Sequence, residues 1–283
     1  MNRSPSSGTL YLIPTPIGNI GDLSARAIET LGQVDLVAAE DTRETLKLLK
    51  RIGLTKRLVS YHDHNEQQRA PQLIERLQQG ERVALVSDAG TPLLSDPGYR
   101  LVRLAIAGGI RVTSLPGPSA AITALIASGL PADRFCFAGF LPRRGAQRLT
   151  RIRELRAYHG TLILFEAPHR VLDSLAALEA ELGDRQATLG WNLTKESERY
   201  LRGSLSTLRA ELASWEYLHG EITLVLAGAG PEDDRAEQWH RADRLIQLLQ
   251  DQGVQHRGIC QIVGEACELP KHDLYQRILA MAR

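Results

Sequence analysis

The stretch Ser87-Asp-Ala-Gly-Thr-Pro-Leu-Leu-Ser-Asp-Pro-Gly98 decides the interpretation of the fold. It follows the apolar run Arg82–Val86, which is typical of a buried strand, and apolar residues at helical spacing follow from Tyr99. A strand, a loop of small residues and a helix form the layout in which α/β proteins bind ligands at the carboxyl ends of their strands. Ordinary strand-to-helix connections have about 2–6 residues. This longer loop therefore predicts a ligand site, with a plain connection as the alternative.

Glycine punctuation along the rest of the chain predicts the same class. Strand-like apolar runs begin within a few residues after Gly80, Gly109, Gly160, Gly183 and Gly220. Glycine just past a helix, with a strand immediately after it, is the loop chemistry of an alternating α/β fold. Two further loops of small residues, Pro14–Asp22 and Ser114–Ala120, also follow strand-like runs. We therefore predict an α/β protein whose strand ends line a cleft.

The length of 283 residues predicts two domains and a smaller third unit. We expect residues 1–8 to be a disordered polar tail and residues 9–129 to form an N-terminal α/β domain. Residues 130–230 would form the C-terminal α/β domain. After an acidic linker, residues 235–283 show helical periodicity without strand-like runs and predict a helical extension. This extension fits a packing or dimerisation module, or a module that contacts nucleic acid.

Composition excludes several classes of protein. The net charge is +1, so any surface that binds nucleic acid must be a local one. Three scattered cysteines without a CxxC pattern argue against a disulfide framework and a structural zinc site. The His62-Asp-His64 stretch is more typical of a polar loop than of a metal site. With neither signal peptide nor membrane span in the pattern, we expect a cytoplasmic protein with no metal.

An arginine-rich segment stands out against this neutral background. Six arginines accompany a single glutamate in this segment: Arg143, Arg144, Arg148, Arg151, Arg153 and Arg156. Arg144, Arg148 and Arg151 fall on one face of a helix. Such a face is often simply solvated, but the local excess of positive charge also suits RNA phosphates.

Six motifs in order resemble one known family. The motifs are Pro14–Asn19, Ala39–Arg43, His62–Glu66, Val86–Pro92, Asp96–Gly98 and Leu115–Ala120. Together they are similar to the ribosomal RNA small subunit methyltransferase I family, a branch of the tetrapyrrole-methylase superfamily of S-adenosylmethionine-dependent enzymes. The resemblance implies two αβα domains of the tetrapyrrole-methylase type with the donor cleft between them, and a homodimer. It also implies methylation of the 2′-hydroxyl of a cytidine in the decoding region of small-subunit ribosomal RNA, free or in the assembled subunit.

The resemblance also implies the residues that hold the methyl donor. These would be Pro16, Asp88, Gly90, Thr91, Pro92, Ser119 and Ala120 from the first domain, and Ala167, Pro168, Thr194, Leu226, Ala227 and Gly228 from the second.

A ribose hydroxyl is a poor nucleophile until its proton has an acceptor. Our candidates for that base are, in falling order, Asp41, Glu40, Glu166 and Asp88, although Asp88 suits the donor site better. The alternative for Glu40 and Asp41 is a structural charge at a helix N-terminus. Lys195 would orient the ribose at the catalytic site. RNA phosphates would be held by Arg43 and Arg170 together with four residues of the arginine-rich segment, Arg143, Arg144, Arg148 and Arg151.

The second domain departs from the family pattern at Trp191 and Asn192, where relatives typically carry an Arg-Glu pair. An asparagine amide has no useful basicity, so Asn192 cannot accept the ribose proton. Two alternatives stay open, and the second would explain Asn192 as a mark of lost activity. One is a methyltransferase acting on a tetrapyrrole, and the other is a non-catalytic module that binds RNA or a nucleotide.

Overall fold

The computed structural model describes residues 8–143 and 145–281, without the side chains of residues 232–234 and 236–237. Of the predicted tail, only Gly8 falls within this range. Gly8 is buried, and its N–H donates to the carbonyl of Leu77 at 2.7 Å. Residues 1–7 and Arg144 lie outside the described residues.

The first sheet is entirely parallel. Its strands are β1 (Thr9–Leu12), β2 (Leu36–Ala39), β3 (Leu58–Ser60), β4 (Val83–Val86) and β5 (Arg111–Ser114), in the order β3-β2-β4-β1-β5. The helices α1 (Ala25–Gln33), α2 (Thr42–Arg51), α3 (Glu66–Gln78) and α4 (Tyr99–Ala107) connect them. Because the strands share one direction, the loops that follow β1, β2, β4 and β5 meet at one edge of the sheet.

Apolar spacing decides which face each helix covers. Leu31 of α1 and Leu49 of α2 belong to one apolar cluster, on one face of the sheet. Leu73 of α3 and Leu101 of α4 belong to a second cluster on the opposite face. Ser24 caps the N-terminus of α1, because its side chain accepts the N–H of Ala27 at 3.1 Å.

The second sheet is mixed. Its strands are β6 (Phe135–Phe140), β7 (Thr161–Glu166), β8 (Gln186–Trp191), β9 (Arg199–Ser204) and β10 (Ile222–Leu226), in the order β6-β7-β10-β8-β9. β6 and β7 are parallel, whereas β10 runs antiparallel to both β7 and β8. The helices α6 (Ala146–Leu155), α7 (Val171–Leu182) and α8 (Leu205–Ala213) pack against one face.

The other face of the second sheet is covered by α5 (Ala120–Ser128), which follows β5 of the first sheet. Ala121, Ala124 and Leu125 share an apolar cluster with Ile163 of β7 and Val225 of β10. By its contacts α5 belongs to the second sheet. The predicted boundary at residues 129–130, which assigns α5 to the first domain, stays a prediction.

Three helices follow the second sheet, as the sequence predicts. They are α9 (Pro231–Asp251), α10 (His256–Cys267) and α11 (Lys271–Met281), and they share a small core that includes Ile246, Ile259 and Leu274. α9 begins at Pro231, within the stretch predicted as an acidic linker, because proline suits the first turn of a helix. No helix in the described part of the chain is both long and apolar enough to cross a bilayer. The predicted α/β class with a C-terminal helical extension is confirmed.

Candidate active site

The facing edges of the two sheets enclose a cleft of about 350 Å³. The first sheet contributes Gly90, Thr91, Leu94, Ser95 and Asp96 from the loop after β4. It also contributes Ile17, Ala89, Ser119 and Ala120. The second sheet contributes Phe140, Phe165, Glu166, Ala167, Pro168, Leu193 and the segment 220–223. The predicted cleft between strand ends therefore exists.

Hydrogen bonds fasten the loop after β4 to its neighbours. The N–H and carbonyl of Gly90 pair with those of Thr15 in the loop after β1, at 3.0 and 2.9 Å. The Thr15 hydroxyl donates to the Ser87 carbonyl at 3.0 Å, and the Thr91 hydroxyl donates to the Pro118 carbonyl at 2.8 Å. Three loops thus form one rigid wall. Gly90 has a φ of +85°, and a Cβ there would lie 3.3 Å from Cγ2 of Ile17, so glycine keeps the wall open.

The second half of this loop is strained. Leu93 and Ser95 have φ values of +74° and +68°, in a region that side chains other than glycine rarely adopt. Between them Leu94 is exposed, and the half-buried Asp96 follows. Gly98 closes the loop with a φ of +140°, where a Cβ would lie 2.7 Å from Cδ2 of Leu85. Strained backbone of this kind is concentrated at functional sites.

Carboxylates gather at this edge of the first sheet. Desolvation, followed by the charge of Glu40, raises the pKa of Asp96 to about 7. Desolvation and the charge of Asp88 raise the pKa of Glu40, and desolvation raises that of Asp88. Asp88 Oδ1 still accepts the N–H of Asp41 at 2.9 Å. Of these carboxylates, only Asp96 lines the cleft.

Asp41, the first candidate base, caps a helix and pairs with an arginine. Its Oδ1 accepts the N–H of Arg43 at 2.8 Å and so caps α2, and its Oδ2 lies 2.6 Å from the Arg43 guanidinium. These bonds lower the pKa of Asp41 to about 2. Asp41 is therefore a poor proton acceptor, and it lies outside the lining of the cleft.

Across the cleft, Glu166 at the end of β7 is embedded in partners. It accepts the N–H of Ala167 at 2.7 Å and the hydroxyl of Ser174, and Nε of Arg170 lies 3.3 Å from its Oε1. Arg148 donates to Ser174 Oγ at 2.7 Å. Arg148 is 8% exposed, and the Arg170 side chain is 17% exposed and donates to the Leu141 carbonyl at 2.7 Å. The prediction that these two arginines bind RNA is corrected, because both point into the protein and support Glu166.

The remaining arginines proposed for RNA are more accessible. The Arg43 side chain is 84% exposed, and Arg143 is exposed at the start of the arginine-rich segment. Arg151 is 40% exposed and pairs with Glu154 at 2.9 Å. Arg144 lies outside the described residues.

Six of the residues predicted to hold the methyl donor line the cleft. They are Gly90, Thr91, Ser119, Ala120, Ala167 and Pro168. Four others, Pro16, Asp88, Pro92 and Thr194, lie next to lining residues in the chain without lining the cleft themselves. The prediction is corrected for Leu226, Ala227 and Gly228. Because β10 is antiparallel to β7, Leu226 pairs with Leu162 at the far edge of the sheet, and it is Ile222, opposite Glu166, that reaches the cleft.

The lining suits a donor such as S-adenosylmethionine. Its volume lies within the range of about 300–1,000 Å³ typical of small-molecule sites. Ser119 Oγ is buried without a hydrogen-bond partner in the described protein, so a ligand atom can satisfy it. Ile17 and Leu193 supply apolar surface.

The segment that departs from the family pattern supports one wall of the cleft. Asn192 has a φ of +50°, and its Oδ1 accepts the N–H of Glu221 at 3.0 Å, while its Nδ2 donates to Ser197 Oγ at 2.9 Å. Asn192 therefore holds the segment 220–221 in place. Lys195 lies in the same segment, and its Nζ is 2.8 Å from Oε1 of Glu221.

Sequence reasoning assigned no individual role to Asp96, Leu94 or Phe140, although Asp96 and Leu94 lie in the loop predicted to bind a ligand. A signal for Asp96 exists, because the loop after β4 contains two Ser-Asp pairs, Ser87-Asp88 and Ser95-Asp96. Only the aspartate of the second pair, Asp96, lines the cleft. Phe140 carries no comparable signal, because it ends β6 as one aromatic residue among several.

Comparisons with known proteins agree with this geometry. The family model for Tetrapyrrole (Corrin/Porphyrin) Methylases matches residues 9–209. A protein of Micromonospora olivasterospora named ribosomal RNA small subunit methyltransferase I is 50% identical over 272 residues, which cover 96% of this chain and 87% of that protein. A protein of the same name from Mesorhizobium japonicum is 46% identical over 281 residues, covering 98% and 93%.

Solved structures show the same fold. A diphthine synthase superimposes with a TM-score of 0.61 at 19% identity, covering 78% of this chain and 90% of that one. A uroporphyrin-III C-methyltransferase from Thermus thermophilus, complexed with S-adenyl homocysteine, gives a TM-score of 0.53 at 19% identity, covering 77% and 97%.

Proposed function

This chain belongs to the tetrapyrrole methylases and, within them, to the ribosomal RNA small subunit methyltransferase I family, and from that premise we propose its reaction. It transfers the methyl group of S-adenosylmethionine to the 2′-hydroxyl of a cytidine in the decoding region of small-subunit ribosomal RNA. The observation that carries the proposal is a cleft of ligand size. One wall of this cleft consists of small residues, and carboxylates gather beside it.

The donor side of the cleft is formed by Gly90, Thr91, Ser119, Ala167 and Pro168. Bound there, S-adenosylmethionine supplies a methyl carbon that is already activated by its sulfonium. The protein therefore has mainly to align the acceptor oxygen with that carbon, and rigid loops of glycine and proline suit this task.

The acceptor side offers surface for a nucleoside. Leu94 and Phe140 line the cleft and are 37% and 52% exposed. Exposed aromatic side chains such as Phe140 are the usual platforms for unstacked RNA bases. We propose that Arg43, Arg143 and Arg151 contact phosphates of the same RNA. We propose the same role for Arg144, which follows Arg143 in the sequence.

We further propose that the protein acts in the cytoplasm as a homodimer. The helix α5 leaves Ile122 and Ile126 exposed, at 43% and 74%, and such apolar surface suits a subunit contact. Sedimentation at several protein concentrations tests this assembly, and a monomer at all of them would contradict it.

The test of the reaction is transfer of a labelled methyl group. Small subunits that lack the modification, their naked RNA and a porphyrinoid are offered in parallel. We expect label on the subunit or its RNA, at one cytidine whose backbone becomes resistant to alkali. Label on the porphyrinoid alone would favour a tetrapyrrole methyltransferase. Absence of S-adenosylmethionine binding in calorimetry would favour a non-catalytic RNA-binding module.

A further inference from the structure

We propose that Asp96 is the catalytic base that accepts the proton of the ribose hydroxyl, an assignment that rests on the proposed function. Among the carboxylates at the edge of the first sheet, Asp96 is the one that lines the cleft. Asp41, Glu40 and Asp88 are not among the residues that line it.

Asp96 lies in a strained and anchored part of the loop after β4. Leu93 and Ser95 hold left-handed backbone conformations, and the buried Pro97 and Gly98 anchor the end of the loop. A Cβ on Gly139 would lie 3.3 Å from Ser95 Oγ, so this loop packs against the end of β6. Asp96 therefore follows a residue that packs against the end of β6, and it lines the same cleft as Phe140.

The surroundings of Asp96 make its carboxylate a stronger base. Glu40, Asp63 and Asp88 face it from the ends of three strands, and the Ser87 hydroxyl only partly offsets their charge. The Arg43 guanidinium at the same edge of the sheet is bound to Asp41 at 2.6 Å, and His62 lies near Glu40. With a pKa of about 7, Asp96 is ionised in a large fraction of molecules at neutral pH while holding a proton far better than an ordinary aspartate.

The other charged groups considered for this step already have partners. Asp41 is bound to Arg43, and Glu166 already accepts hydrogen bonds from Ala167 and Ser174. Lys195 and Glu221, which also lines the cleft, are paired with each other at 2.8 Å.

The step balances as a single displacement. The ribose oxygen forms a bond to the methyl carbon, and the carbon–sulfur bond breaks with its electron pair going to sulfur, which leaves as a neutral thioether. The hydroxyl proton moves to the Asp96 carboxylate and then to solvent. No oxidant, reductant or metal is required.

The experiment measures single-turnover methyl transfer to unmodified small subunits with Asp96→Asn, using the exposed Asp133→Asn as the matched control. We expect the rate of Asp96→Asn to fall by about 10²–10⁴-fold, the usual contribution of a general base. The affinities for S-adenosylmethionine and for RNA stay within about twofold of the parent, as expected for an interaction made only in the transition state. Asp133→Asn keeps the parent rate.

A pH profile separates a base from a structural residue. The parent rate rises with pH to a plateau, with a midpoint near the pKa of Asp96, about 7. Glu40→Gln removes a facing negative charge and moves that midpoint to lower pH. Asp96→Asn leaves a residual rate without the rise.

Two results overturn the assignment: a full rate in Asp96→Asn, or loss of S-adenosylmethionine binding in that variant, which would make Asp96 a donor ligand. Failure of the parent protein to methylate RNA would instead refute the proposed function.

Discussion

Carboxylates on the two sides of the cleft lie in opposite electrostatic surroundings. At the edge of the first sheet, Asp96 faces other carboxylates and its pKa rises to about 7. At the edge of the second sheet, Glu166 is 3% exposed, accepts hydrogen bonds from Ala167 and Ser174 and lies beside Arg170. The comparison indicates a division of labour. The first edge holds destabilised groups that are suited to chemistry, and the second holds satisfied groups that maintain the shape of the cleft.

The largest effect is expected from removing the satisfied carboxylate. Glu166→Ala leaves Arg170 without its carboxylate partner in a buried network. We expect the free energy of unfolding to fall by about 3–5 kcal/mol, the usual loss when one partner of a buried ion pair is removed. Urea unfolding measures the loss, and Glu166→Gln serves as a milder variant if the alanine protein does not fold.

The matched control for Glu166 is Glu154, which makes an exposed pair with Arg151 on one helix. Glu154→Ala should lower the free energy of unfolding by about 0.5 kcal/mol or less, because solvent screens such pairs. Equal losses in the two variants would mean that burial of Glu166 confers no special stability.

An intermediate effect is expected from narrowing the donor wall. Gly90→Ala forces a side chain into a backbone with a φ of +85° and toward Ile17. We expect the strain to lower the free energy of unfolding by about 1–2 kcal/mol. Because the added methyl group also narrows the wall, we expect the affinity for S-adenosylmethionine to weaken by roughly tenfold. Gly109→Ala, with a φ of +68° and open space around it, carries similar strain away from the cleft. Calorimetry should show weaker donor binding in the first variant alone, and equal binding in both would contradict the assigned wall.

The smallest effect concerns the stability cost of Asp96. Its folded-state pKa of about 7 lies above the ordinary value of 3.8, so the folded state binds more protons between these values and loses stability as pH rises toward 7. Asp96→Asn removes this cost. We expect the thermal midpoint to rise by several degrees at pH 8 and to change little at pH 4. A lower midpoint at pH 8 would show that Asp96 is a stabilising residue like Glu166.

Particular elements show how far sequence reasoning reached. Strands with continuous apolar runs, such as β4 and β10, were predicted close to their observed bounds. β9 was not predicted, because Arg199–Ser204 forms a polar strand at the edge of its sheet and gives no apolar run. Arg148 was predicted on a charged face but is buried against Ser174, a partner on another helix.

The sequence by itself determined the α/β class, the loops that form the cleft and the family, because alternating apolar runs, glycine punctuation and ordered motifs are local features of the chain. Only the tertiary structure decided that β10 runs antiparallel, so that Ile222 and not Leu226 reaches the cleft. The tertiary structure also decided which carboxylates have raised pKa values. Glu40, Asp88 and Asp96 lie in different loops, and their pKa values depend on desolvation and mutual repulsion that arise only once the sheet brings those loops together.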